Sequence, residues 1–158
     1  MELKTRFDVR QHAYDIMEIA HKGQCDKGGN HYFLHPFRVS QEVKNYFFGW
    51  SSEFDKFIAE CVALLHDVIE DSFITADVLT NEGFEHAIVN RVVCMTRKEG
   101  ESYMDYIKRI GEDNICRIVK MCDLKDNMDI TRLEKLTDDD LARLKKYHKA
   151  YKYLNNLK

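Results

Sequence analysis

Ser52-Glu-Phe-Asp-Lys-Phe-Ile-Ala-Glu-Cys-Val-Ala-Leu-Leu-His66-Asp67-Val-Ile-Glu70-Asp71 is the stretch on which the reading of this chain turns. Its apolar density is that of a helix buried on most of its surface, yet it ends in four ionisable groups. Burying charge without a partner is costly, so such groups are normally paired or bound to a metal. With about 100° of rotation per residue and His66 at zero, Glu70 falls near 40°, Asp67 near 100° and Asp71 near 140°. The four share one side, flanked by the small Ala59 and Ala63. A solvated stripe with ordinary i,i+4 partners is the plain alternative. The apolar surroundings favour a buried, metal-dependent site.

The rest of the chain agrees with an all-α fold. It has 158 residues, one proline (Pro36) and seven glycines, and it is rich in Leu, Ile, Lys, Glu, Asp and Arg at 3.6-residue spacing. About eight helices are expected, over 9–22, 36–48, 52–70, 75–82, 85–95, 102–110, 112–133 and 137–157. Ser51 or Ser52 caps the third helix, and Thr137 caps the last, where Asp138, Asp139 and Asp140 suit a positive helix N-terminus. Pro36 suits a first turn. The glycine-bearing loops are 23–34 and 97–101. Nothing in the composition divides the chain, so residues 1–158 are expected to form a single domain. The net charge of −3 gives no basic footprint for a nucleic-acid polymer. No signal peptide or membrane span is read. The five cysteines form no CxxC pair and suit reduced thiols in the cytoplasm.

Two further pieces complete the chemistry. In Ile118-Val-Lys120-Met-Cys-Asp123-Leu-Lys-Asp126-Asn127-Met128, helical spacing puts Lys120, Asp123 and Asn127 on one face. That face could equally be a solvated one. In Leu34-His35-Pro36 a histidine precedes a helix start. Imidazoles with carboxylates suit a divalent transition metal such as manganese or iron. His12, His86 and His148 sit in helical segments without ligand company and are read as structural. Phe47-Phe48-Gly49-Trp50 reads as a helix end packing on the core, and Leu141, Leu144, Tyr147, Tyr151 and Leu154 as a core stripe or the surface of a homodimer.

His35, then His66-Asp67, then Asp123 resembles the H…HD…D signature of the HD-domain metal-dependent phosphohydrolases. With His21-Lys-Gly-Gln24…Tyr32-Phe-Leu-His35-Pro36, the Glu70-Asp71 pair and Asp123-x-x-x-Asn127, the chain is similar to the hydrolase domain of RelA/SpoT-type proteins and stand-alone small alarmone hydrolases. The likeness runs from about residue 21 to 147, with no room for the synthetase and regulatory domains of the long proteins. It implies a single HD-domain helical bundle that removes the 3′-pyrophosphate of (p)ppGpp, the nucleotide of the stringent response. It implies that His35, His66, Asp67 and Asp123 hold one divalent metal, Mn²⁺, and that Glu70 and Asp71 handle the attacking water and its protons. Lys27, Tyr32, Lys98, Asn127, Arg143 and Tyr147 would meet the substrate, with Lys22 a further candidate cation.

One loop departs from that pattern. Asp26 and His31 stand where the guanosine-specific members commonly carry an arginine and a proline. The loop's positive charge then rests on Lys27, and a planar guanidinium that could stack on a purine is lost. Hydrolysis of another nucleotide, such as NADPH or a dNTP, is the alternative this raises. A non-catalytic nucleotide-binding module is the alternative of another class.

Overall fold

The structure, a computed structural model, describes residues 5–46 and 52–157, and among them it contains helices and no named strand. The helices are α1 (Arg6–Ala20), α2 (Leu34–Tyr46), α3 (Glu53–Leu65), α4 (Val68–Asp71), α5 (Ala76–Asn81), α6 (His86–Met95), α7 (Tyr103–Ile110), α8 (Asn114–Asn127) and α9 (Asp138–Asn155), with a 3-10 turn at Ile130–Arg132. The all-α expectation holds. Phe47-Phe48-Gly49-Trp50 and Ser51 lie outside the described residues.

The expected start signals do their work. Ser52 Oγ accepts from Asp55 N at 3.1 Å. Thr137 and Asp140 form a capping box at the start of α9. Pro36 lies in the first turn of α2, where its missing N–H leaves no helical bond unmade. His35 is therefore inside that turn rather than before it.

Helix α3 is the axis of the bundle. Its residues 57 to 65 are all buried, and it packs against α1, α2, α6 and α8. A helix apolar all round belongs in a core. Its one buried charge, Glu60, is 3% exposed and is met by Arg10 of α1 at 2.7 Å and Lys44 of α2 at 3.9 Å. The core continues through Val39, Val43, Ile88, Ile118 and Leu124. In the C-terminal stripe Leu154 is fully buried, while Leu141 stays 40% exposed.

Two expected helices end early. The 52–70 helix breaks at His66 and Asp67, and only the single turn of α4 follows. His66 Nδ1 lies 2.8 Å from the Ala63 carbonyl, which a continuing helix would offer to Asp67 N–H. The 112–133 helix stops at Asn127, and the chain turns through the 3-10 segment, where Asp129 caps Thr131.

Truncating Ile58, fully buried in α3, to alanine should cost about 2–5 kcal/mol. Phe73→Ala, at a side chain 77% exposed, should stay within about 0.5 kcal/mol. Chemical denaturation midpoints compare the two, and equal losses would contradict this account of the core.

Candidate metal centre and its two cavities

Three helices deliver the polar cluster. The first turn of α2 supplies His35, the break after α3 supplies His66 and Asp67, and α8 supplies Asp123. His35, His66 and Asp123 are 4%, 1% and 3% exposed. His35 Nε2 is 3.0 Å from Asp123 Oδ1 and 3.7 Å from Asp67 Oδ2. His66 Nε2 is 3.1 Å from Asp67 Oδ2 and 3.6 Å from Asp123 Oδ1. One ligand atom from each of His35, His66 and Asp123 fits within 4.8 Å of the others. His66 Nε2 is buried and makes no hydrogen bond. A buried nitrogen without a partner, facing two carboxylates, is what a divalent cation would satisfy, so the donor set fits a metal.

The ring around this cluster is as informative as the cluster. Tyr32 OH donates to Asp67 Oδ2 at 2.8 Å and reaches Asp71 Oδ2 at 3.5 Å. Tyr32 packs on His21, whose Nδ1 meets Gln24 Oε1 at 2.9 Å, and Gln24 donates to the Asp71 carbonyl. The His21–Gln24 block thus works by placing Tyr32. Asn127 Nδ2 donates to Asp123 Oδ1 at 2.6 Å. Lys120 Nζ lies 2.8 Å from Asp123 Oδ2 and over the Tyr106 ring. Glu70 Oε2 accepts from Arg97 N at 3.1 Å, tying α4 to the 97–101 loop.

Electrostatics follow from this packing. Burial alone would lower the pKa of His66, but the Asp67 and Asp123 carboxylates outweigh it and hold it well above 6.5. His35 is raised in the same way, by Asp123, Asp126 and Asp67 against its burial. Burial would raise Asp123, but Lys120 and the two histidines hold it well below the usual carboxylate range. Asp71 moves the other way, raised by burial and by the charges of Asp67 and Glu70.

Two cavities meet at the cluster. One, of about 260 Å³, is floored by Asp67, Glu70, Asp71 and Asp123, and Lys120, Arg97 and Lys146 face them. The other, of about 240 Å³, is lined by Lys27, Arg132 and Arg143 with His35 and the 25–28 loop. Tyr32, Asn127 and Tyr147 line both. Of the cations read from the sequence, Lys27 and Arg143 line the second cavity, and both reach Asp140. Lys98 lines neither; it sits in a shallow depression with Glu70 and Arg97. Its neighbour Arg97 lines the first cavity instead. Lys22 is exposed on a separate surface.

Sequence reasoning left several site residues without a role. Helical spacing puts Lys120 on the face of Asp123 and Asn127 but does not indicate its task. Arg97, Tyr103 and Lys146 in the first cavity, and Asp126, Arg38 and Arg132 behind the second, carried no periodic signal. The loop's charge is also not Lys27 alone. Asp26 turns back on its own loop, accepting from Gly28 N and Asn30 N at 2.9 Å, and pairs with Arg132 at 3.2 Å. A guanidinium therefore enters the cavity from the 3-10 turn.

Comparison with known proteins follows the same line. No protein-family model matches the chain. A probable GTP pyrophosphokinase of Mycobacterium leprae is 28% identical over 134 residues, and a GTP pyrophosphokinase of Myxococcus xanthus is 28% identical over 152. These alignments take 79% and 87% of this chain but 16% and 19% of the relatives, so the chain spans less than a fifth of the proteins it matches. Among solved structures, a metazoan ortholog of SpoT that hydrolyzes ppGpp and plays a role in starvation responses superposes with a TM-score of 0.73. The match is 17% identical and covers 94% of this chain and 86% of that one. This chain resembles the RelA/SpoT-type proteins and has the fold of that SpoT ortholog. No helix among the described residues is long and apolar enough to cross a membrane.

The raised histidines make metal binding pH-dependent. His35 and His66 must shed protons before their ring nitrogens can accept an ion. Titrated with Mn²⁺ as probe, the protein should bind more tightly as pH rises above the ordinary imidazole value of 6.5, releasing protons as it does so. Calorimetry in buffers of different ionisation enthalpy reads both effects. Affinity independent of pH would show that the imidazoles are not the ligands.

Proposed function

We propose that this chain is a metal-dependent nucleotide phosphohydrolase, a single HD domain that removes the 3′-pyrophosphate of (p)ppGpp in the cytoplasm. The observation that carries this reading is the cluster of His35, His66, Asp67 and Asp123 opening onto an acidic floor with cations opposite. The SpoT ortholog that shares the fold is described as hydrolysing ppGpp, which supports the same substrate. The pyrophosphokinase name belongs to relatives of which this chain covers under a fifth.

The four ligand residues would hold one divalent ion, which we take to be Mn²⁺. When bound, the ion supplies Lewis-acid polarisation of a phosphoryl oxygen and acidifies a water. The protein does the rest. Glu70 and Asp71 line the same cavity, and a carboxylate within hydrogen-bond reach of the water can take its proton. Asp71, whose pKa is raised by burial and by the charges of Asp67 and Glu70, is the better placed of the two to return a proton to the leaving group. Tyr32 holds the Asp67 carboxylate in place. Lys120, Arg97 and Lys146 offer fixed positive charge to the phosphates of the group being removed. Asn127 and Tyr147, shared by the two cavities, would meet the sugar. Lys27, Arg132 and Arg143 would meet the base side and its 5′ phosphates.

The Asp26–Arg132 pair favours a second reading of the substrate. The guanidinium lining this cavity comes from the 3-10 turn, a different segment from the loop arginine of guanosine-specific members, and is already paired with Asp26. Another phosphorylated nucleotide, such as NADPH or a dNTP, fits that change. A nucleotide panel on the Mn²⁺-loaded protein decides between them.

Purified protein with Mn²⁺ should release pyrophosphate from ppGpp, and Asp67→Ala or Glu70→Ala should lower the rate by about 10²-fold or more. Arg97→Ala should raise KM, whereas Lys98→Ala, outside both cavities, should leave kcat and KM near the parent values. Full activity in Asp67→Ala would sink the assigned mechanism.

A further inference from the structure

We infer that Asp126 is a positioning residue that fixes the ring of His35 for metal binding, an inference that rests on the metal reading above. His35 has two ring nitrogens with different neighbours. Nε2 faces the cluster, 3.0 Å from Asp123 Oδ1. Nδ1 lies 2.7 Å from Asp126 Oδ2. An ionised carboxylate can only accept, so Nδ1 donates its proton to Asp126, and when the ring gives up its second proton it is Nε2 whose lone pair would be free for an ion. Outer partners of this kind set the tautomer, aim the ring and raise its basicity.

Asp126 is itself held from three sides. Arg38, one turn beyond His35 on α2, donates to it through both Nε at 2.7 Å and Nη2 at 3.0 Å. This fork grips both carboxylate oxygens and leaves little freedom to rotate. Arg132 Nη2 adds a contact at 3.2 Å, while Arg132 Nη1 binds Asp26. The same helix turn therefore carries the imidazole that needs orienting and the guanidinium that orients its orienter. Asp126 is three residues after Asp123, so α8 supplies both the inner carboxylate and the outer one. A plain structural ion pair would need only Arg38 and Arg132; the short bond to a buried ring nitrogen is the part it does not explain.

Two measurements on the full chain test this. In ¹⁵N-histidine NMR of the Zn²⁺-loaded protein, His35 should carry its proton on Nδ1 and the metal on Nε2; the reverse assignment overturns the inference. In Mn²⁺ titration calorimetry, Asp126→Asn should weaken binding by about 10–100-fold, with Asp126→Glu recovering part of it. A folded Asp126→Asn variant, checked by circular dichroism, that binds Mn²⁺ as the parent does would overturn this inference alone. If that variant does not fold, the tautomer of the parent protein decides. A parent protein that takes up neither Mn²⁺ nor Zn²⁺ overturns the metal reading and this inference with it.

Discussion

Two carboxylates and two imidazoles are packed into the interior of a small helical bundle, and the rest of the structure is arranged around keeping them there. Removing a carboxylate from water costs several kcal/mol unless partners offset it. Asp123 has its partners on all sides: both histidines, Lys120 at 2.8 Å and Asn127 at 2.6 Å. Lys120 in turn lies over the Tyr106 ring, which keeps a buried ammonium in favourable surroundings. Helices α2, α3 and α8 converge on this set, each supplying part of it at its end or along its face. The apolar faces that bring them together are the same faces that exclude water from it.

This constraint also accounts for the break in the most helical stretch of the chain. His66 turns its Nδ1 back to the Ala63 carbonyl, which leaves Nε2 aimed inward. Asp67 then occupies the turn, with its carboxylate 3.1 Å from Nε2. Both residues keep right-handed helical backbone angles, so the break lies in the hydrogen bonding more than in the direction of the chain.

That detail marks how much was legible in the sequence. The all-α fold, the caps at Ser52 and Thr137 and the central helix follow from periodicity and local hydrogen bonding, which act over a few residues. His66 and Asp67 are readable because buried charge in an apolar run has few explanations, whereas His35 and Asp123 join them only through the resemblance of the H…HD…D signature, and Glu70 and Asp71 at the end of the run are exposed. The outer residues are not readable in either way. Arg38, Asp126 and Arg132 are ordinary charged residues in amphipathic segments, and only the packing of α2 on α8 reveals that they meet. Arg97 and Lys98 are neighbours of the same charge; which of them faces the cavity depends on the turn at 97–101. That turn is set by Arg109, which binds Glu101 and the Cys94 and Thr96 carbonyls.

The loop at Asp26 shows the same limit in its sharpest form. Counting charges along residues 23–34 gives a loop whose one lysine or arginine is Lys27. In space, Gly28 lies so close to the 3-10 turn that a Cβ there would stand 2.6 Å from the Arg132 carbonyl. The contact lets Asp26 draw the Arg132 guanidinium across to the cavity, 106 residues away in sequence. An acidic residue in the loop thus brings in a cation instead of merely removing one. Arg132 also touches Asp126, which holds His35. The residues that would meet the base and those that would hold the metal are therefore joined through Arg132 and Asp126. On the proposed function, a nucleotide anion drawing on Arg132 would compete with Asp26 and Asp126 for the same guanidinium, and substrate recognition would be coupled to the orientation of His35.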